Sequence, residues 1–170
     1  MNDITDSKVI TDSNNILESK WTIWYHLPND TNWSINSYTK LFDYNTVEKC
    51  VALNSLIYEK LLLECMFFIM KDNIPPVWEA PENINGGCFS FKIQNKHVPN
   101  IWKTLIYSTA GNTLFKNDDA MSYVNGITIS PKKFFCIIKI WMGSDKYSDT
   151  DLFDNNIIRF TECCIFKKHS

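Results

Sequence analysis

Trp33 and the pair Trp78-Glu79 are the residues of this chain best suited to chemistry. An indole offers a flat π-face on which a planar base stacks, a contact worth on the order of 1–3 kcal/mol per base. A carboxylate beside it accepts N–H donors along the base edge, and such charge-assisted hydrogen bonds contribute roughly 1.5–3 kcal/mol each. Trp33 follows the polar turn Pro28-Asn29-Asp30-Thr31-Asn32, and Trp78-Glu79 follows Pro75-Pro76-Val77, so neither sits in an apolar pattern that would bury it. Loops carry a large share of the binding groups of proteins, and the three residues together point to recognition of one nucleobase. Trp21, Trp24 and Trp102 read instead as structural.

These loops need elements to hold them. Lys20-Trp21-Thr22-Ile23-Trp24-Tyr25 is aromatic and partly alternating, as in a strand that leads into the Pro28 turn. Asn45-Thr46-Val47-Glu48 has the Asx-x-x-Glu form of a capping box, and Cys50, Leu53 and Ile57 recur at helical spacing, predicting a first helix to about Tyr58. Asn83, Asn85, Gly86 and Gly87 predict a second irregular stretch after Glu79. Phe89, Phe91 and Ile93 alternate with polar residues as a half-buried strand. Pro99 opens a second helix through Ile101, Trp102, Leu105, Ile106 and Thr109, with Gly111 as its C-cap. Phe134 to Met142 predicts a strand with Phe134, Cys136, Ile138 and Ile140 on one face and Lys139 with Trp141 on the other. From Asp145 to Ser170 the pattern is ambiguous: Leu152, Phe153, Ile157 and Ile158 fit a helix, while Ile158 to Phe166 fits a strand.

The chain has 170 residues, of which 45% are hydrophobic, enough for one domain with a core and too few for two. A polar, aperiodic segment over residues 1–19 predicts a flexible tail ahead of a domain over 20–170. A net charge of −2 argues against a broad grip on phosphate backbone and leaves only local nucleic-acid contact, with no DNA partner. No apolar run approaches the roughly 20 residues that span a bilayer, so no membrane partner and a cytoplasmic location are expected. Six cysteines without a CxxC pair read as reduced thiols rather than metal ligands. His26, His97 and His169 are scattered with no Ser, Cys or acidic partner at motif spacing, so no catalytic site, metal or cofactor is expected.

A base methylated at N7 is cationic, and two flanking indoles hold it through cation–π attraction as well as stacking. Glu79 is placed to accept both the N1–H and the exocyclic N2–H of guanine, a pairing that adenine cannot offer. A phosphate chain attached to such a base needs cations nearby, and Lys132, Lys133 and Lys139 are the candidates.

The chain resembles the eukaryotic translation initiation factor 4E family, which binds the 5′ cap of messenger RNA, over roughly Asn15 to Met142. The resemblance rests on Trp21-Thr22-Ile23-Trp24-Tyr25, Trp33, Asn45-Thr46-Val47-Glu48, Lys71 through Glu79, Asn83-Ile84-Asn85-Gly86-Gly87, Trp102 with Gly111, Gly126, and Ile138-Lys139-Ile140-Trp141. It implies an α+β fold: a curved antiparallel sheet of about eight strands, backed on its convex face by two or three helices, with the cap site on the concave side. It also implies that Trp33 and Trp78 sandwich the base, that Glu79 and the Trp78 backbone N–H read its edge, and that Trp141 touches the N7-methyl group.

Several positions depart from the family. Lys132 stands where the family has a phosphate-binding Arg, keeping the cation but losing its planar fork. The family's next phosphate-binding Lys aligns with Ile137, and Lys139 on the same face is expected to substitute. Cys88 replaces an Arg beside the glycine pair, and Phe89 replaces the Trp after it. On the opposite surface, where the family receives a Tyr-x-x-x-x-Leu-Φ helix from a scaffold protein, Val47 is retained. There Val51 replaces a Trp, Lys103-Thr104 replaces Leu-Glu, and Asn15-Ile16-Leu17 replaces His-Pro-Leu. The expected partners are therefore 7-methylguanosine-capped messenger RNA and a translation scaffold with an altered motif. The alternatives are a cap-binding protein that sequesters or sorts messages without that scaffold, and an interaction module that no longer binds the cap. The short C-terminal stretch predicts a trimmed third helix.

Overall fold

A computed structural model of the chain describes residues 15–158 and 163–169. Strand β1 (Ile16–His26) is followed by β2 (Tyr38–Thr46), α1 (Val47–Leu56), α2 (Glu59–Glu64), β3 (Met66–Lys71), α3 (Pro81–Ile84) and β4 (Gly87–Gln94). Then come α4 (Val98–Ala110), α5 (Asp118–Ser122), β5 (Val124–Pro131), β6 (Phe135–Met142), α6 (Asn155–Ile158) and β7 (Ile165–Lys168). The strands form one antiparallel sheet in the order β2-β1-β3-β5-β6-β4-β7, seven strands among the described residues where the resemblance implied about eight.

Residues alternate in direction along a strand, and this sheet is used on both faces. On one face Ile23, Ile69, Ile127, Ile129, Ile138, Ile140 and Phe89 are buried with Leu53 of α1, Leu62 of α2 and Trp102, Leu105 and Ile106 of α4, which form the main core. The open face carries a second, smaller cluster of Phe68, Met70 and Trp141, with Trp24, Tyr38, Met66 and Ile74 packed against it. The residues that line the site described below stand on that open face and in the loops above it.

Several sequence expectations shift in detail. β1 begins at Ile16, inside the segment expected to be a tail, because its pairing with β2 and the Val47 N–H···O=C Asn15 bond of 2.9 Å recruit those residues. The remainder of that segment lies outside the described residues. The cap of α1 is Thr46, one residue after the predicted Asn45: its hydroxyl accepts the Lys49 N–H at 3.3 Å. Asn83 lies in α3 and Gly87 opens β4, so the irregular stretch after Glu79 is shorter than predicted. Gly111 caps α4 as predicted, its N–H donating to the Tyr107 carbonyl at 2.8 Å, and the left-handed residue of the turn is the next one, Asn112, at φ 55°. β6 starts at Phe135, leaving Phe134 exposed at the hairpin turn rather than on the core face. Both C-terminal readings hold in part, as the four-residue α6 and the four-residue β7.

Candidate functional site

The open face of the sheet and two loops enclose a cavity of about 540 Å³. Its floor comes from alternate residues of neighbouring strands: Phe68 on β3, Thr128 and Ser130 on β5, and Ile137, Lys139 and Trp141 on β6. Trp141 is 7% exposed, and its indole N–H donates to the Thr128 hydroxyl at 2.7 Å, which fixes the ring in the floor.

The loop between β1 and β2 supplies Trp33. Two successive Asx turns shape it, with Asp30 Oδ1 accepting the Asn32 N–H at 2.8 Å and Asn32 Oδ1 accepting the Ser34 N–H at 2.9 Å. Behind Trp33 lies His26, fully buried, its ring 4.2 Å away and within 5° of parallel. The Asn32 carbonyl can only accept, so the 2.8 Å contact to it identifies His26 Nε2 as the N–H donor. Trp33 is thus held flat on one side and left 53% exposed on the other.

The loop between β3 and α3 supplies Trp78 and Glu79, and it is braced from below by Asn83. The fully buried Asn83 amide donates to the Pro75 carbonyl at 3.2 Å and the Val77 carbonyl at 2.8 Å, and its Oδ1 accepts from Asn125 of β5 at 3.0 Å. Trp78 is 42% exposed. Glu79 acts electrostatically on Tyr38, a lining residue of the cavity whose phenol is pushed up to about 12 by burial first and by the Glu79 charge second.

The structure brings Trp33, Trp78, Glu79, Trp141, Lys132 and Lys139 around one cavity. Lys133 is absent from the lining: at the hairpin tip its ammonium lies 5.2 Å from the Phe134 ring, and adjacent turn residues do not both face inward. On the helix side, Val47 and Val51 are half-exposed and line a small apolar groove with Leu17, Cys50 and Tyr107. Lys103 borders an adjoining depression with its ammonium 5.8 Å from the Tyr107 ring, while the Thr104 hydroxyl donates back to the Asn100 carbonyl at 2.9 Å. His26, Tyr38, Asn83 and Asn125 were not singled out from the sequence as site residues. Only Asn83, beside the glycine pair, lay within a segment that carried a signal. Among the described residues no group of three His, Cys, Asp or Glu is arranged to hold a metal ion, and no helix is long and apolar enough to cross a membrane.

The family model of eukaryotic initiation factor 4E matches residues 16–163, extending the resemblance beyond Met142. Eukaryotic translation initiation factor 4E of Eremothecium gossypii is 29% identical over 148 residues, covering 83% of this chain and 68% of that protein. A homolog from Acanthamoeba polyphaga mimivirus is 39% identical over 64 residues, covering 38% of this chain and 24% of that protein. Among solved structures, C. elegans eIF4E-3, in complex with the 4E-binding protein Mextli and cap analog, superposes with a TM-score of 0.75 at 19% identity over 92% of this chain and 94% of that one. That likeness establishes a shared fold.

Proposed function

The chain belongs to the eukaryotic initiation factor 4E family, and from that membership we propose that it binds the 7-methylguanosine cap of messenger RNA and serves translation initiation in the cytoplasm. The observation that carries this reading is the single cavity that gathers two half-exposed indoles, a carboxylate and two lysines over an aromatic floor. The methylated base enters between Trp33 and Trp78, where its positive charge strengthens stacking on both rings. Glu79 accepts the two N–H groups of the guanine edge, with the Trp78 backbone N–H completing the recognition. Trp141, held by Thr128, meets the N7-methyl group. Lys132 and Lys139 take the phosphate bridge, as point charges rather than as a planar fork.

The role involves binding without bond-making, so affinity and base selectivity follow from pre-set geometry. His26 fixes the plane of Trp33 and Asn83 fixes the loop of Trp78 before any ligand arrives. Less ordering is then left to be done on binding.

The groove of Leu17, Val47, Cys50, Val51 and Tyr107 supports a scaffold protein with an altered motif as partner. Val51 offers a smaller apolar surface than the Trp expected there, which favours a second reading in which the protein sequesters or sorts capped messages without the usual scaffold. Extract pull-down with capped RNA separates the two by the presence or absence of initiation scaffold.

Calorimetric titration with 7-methyl-GTP and GTP tests the cap site. The wild type is expected to bind the methylated nucleotide at least about tenfold more tightly. Trp78→Ala and Glu79→Ala are each expected to lose about 1–3 kcal/mol. Equal affinity for both nucleotides, or none for either, would replace this reading with that of an interaction module lacking cap recognition.

A further inference from the structure

The open face continues past the edge of the base cavity. A second depression of about 220 Å³ shares Trp78, Lys139 and Trp141 with it and runs across β4 to the edge strand β7, where Cys88, Lys167, Lys168 and His169 complete it. Register determines what meets there. Cys88 lies opposite Trp141 on β6 and opposite Lys167 on β7, and directly opposed residues share a face of the sheet. Lys139, opposite Ser90, stands on the same face.

Position 88 is where the resemblance places an Arg. A thiol there leaves the positive charge to be supplied by neighbours, and the sheet offers lysines on both flanking strands. Burial pushes the Cys88 thiol up, while Lys139 and Lys167 both pull it down, which places both ammonium groups within electrostatic reach of one point. Lys168 is paired with Asp145 at 2.5 Å, but Lys139 and Lys167 have no ion-pair partner among the described residues. The end of β7 is fastened at the site: the His169 N–H donates to the Gly86 carbonyl at 3.1 Å, its Nδ1 contacts the Asn83 carbonyl at 2.8 Å, and its ring lies edge-on to Trp141 at 5.1 Å.

We propose that this depression is a second phosphate subsite, in which Lys167 and Lys139 hold phosphate groups of the RNA attached to the cap base. Two cations without an ion-pair partner among the described residues, over a floor of Cys88 and Trp141, call for an anion, and continuity with the base cavity means that the anion is tethered to the base. The inference rests on the cap-binding reading. The phosphates come either from the triphosphate bridge or from the phosphodiesters after it.

The test measures affinities of the full chain for 7-methyl-GMP, 7-methyl-GTP and a capped ten-nucleotide RNA across a salt series. The proteins compared are wild type, Lys167→Glu, Lys167→Arg, and Lys96→Glu as a charge control at an exposed, distant lysine. Lys167→Glu is expected to leave 7-methyl-GMP binding intact and to weaken a longer ligand roughly fivefold or more, with the salt slope reduced by about 0.7 for the lost contact. Lys167→Arg is expected to restore both. A loss already present with 7-methyl-GTP assigns the triphosphate, and a loss confined to the capped RNA assigns the phosphodiesters. Lys167 is exposed on an edge strand, and an unchanged melting curve separates loss of contact from loss of fold. If Lys167→Glu matches Lys96→Glu on all three ligands while 7-methyl-GMP still binds, the subsite is overturned and the cap site stands. If 7-methyl-GMP does not bind the wild type in preference to GMP, both fall.

Discussion

Asn83 shapes the site without lining the cavity. Its side chain closes the Trp78 loop through two carbonyls and anchors it to β5 through Asn125, and its own carbonyl receives His169. Asn83→Ala would leave two loop carbonyls and the Asn125 amide without that partner, at about 1–3 kcal/mol per buried polar group. It is expected to lower stability by about 2 kcal/mol and 7-methyl-GTP affinity by about tenfold, read by urea denaturation and calorimetry. A fall in stability with unchanged affinity would show that Trp78 is held by other means. Trp33, Trp78 and Glu79 were legible in the sequence because turn residues flank them locally. Asn83 was not, because its bond to Asn125 spans 42 positions and exists only when β5 lies beneath the loop. His26 was hidden differently: it stands one residue past the predicted strand, and nothing there shows that the following loop folds back to lay Trp33 on its ring.

Among the elements, β6 is the one whose two faces were read most directly from the sequence. Its strict alternation sends Cys136, Ile138 and Ile140 into the core and Ile137, Lys139 and Trp141 to the cavity. β2 carries polar residues on both faces at the sheet edge, so its sequence has no periodic signal to separate it from a loop. β3 has the opposite ambiguity: Phe67 and Ile69 pack on the helix side, Phe68 and Met70 on the open side, and a short apolar run does not distinguish strand from helix. α1 is set by its cap, and Thr46→Ala is expected to cost about 1 kcal/mol. Because α1 presents Val47 and Val51 to the apolar groove and nothing to the cavity, that substitution should fray the groove while leaving 7-methyl-GTP affinity unchanged. Urea denaturation together with nucleotide titration checks both halves.

At the scale of the whole molecule, a net charge of −2 is compatible with binding an anionic chain because Lys132, Lys139 and Lys167 gather around the base cavity and the depression beside it. The same partition of the sheet governs the six tryptophans. Trp21, Trp102 and Trp141 are almost fully buried and Trp24 is partly so, whereas Trp33 and Trp78 stand half-open on the two walls of the cavity. The protein therefore contains an optical reporter of its own occupancy. Acrylamide should quench the emission of the two wall indoles and leave that of the buried set as a constant background. Saturation with 7-methyl-GTP should abolish the quenchable fraction, and Trp33→Phe with Trp78→Phe should reproduce that loss without ligand. A quenchable fraction that survives saturation would mean that the emission reports on some other part of the molecule. Otherwise the walls that grip the base also make its arrival and departure visible without any label.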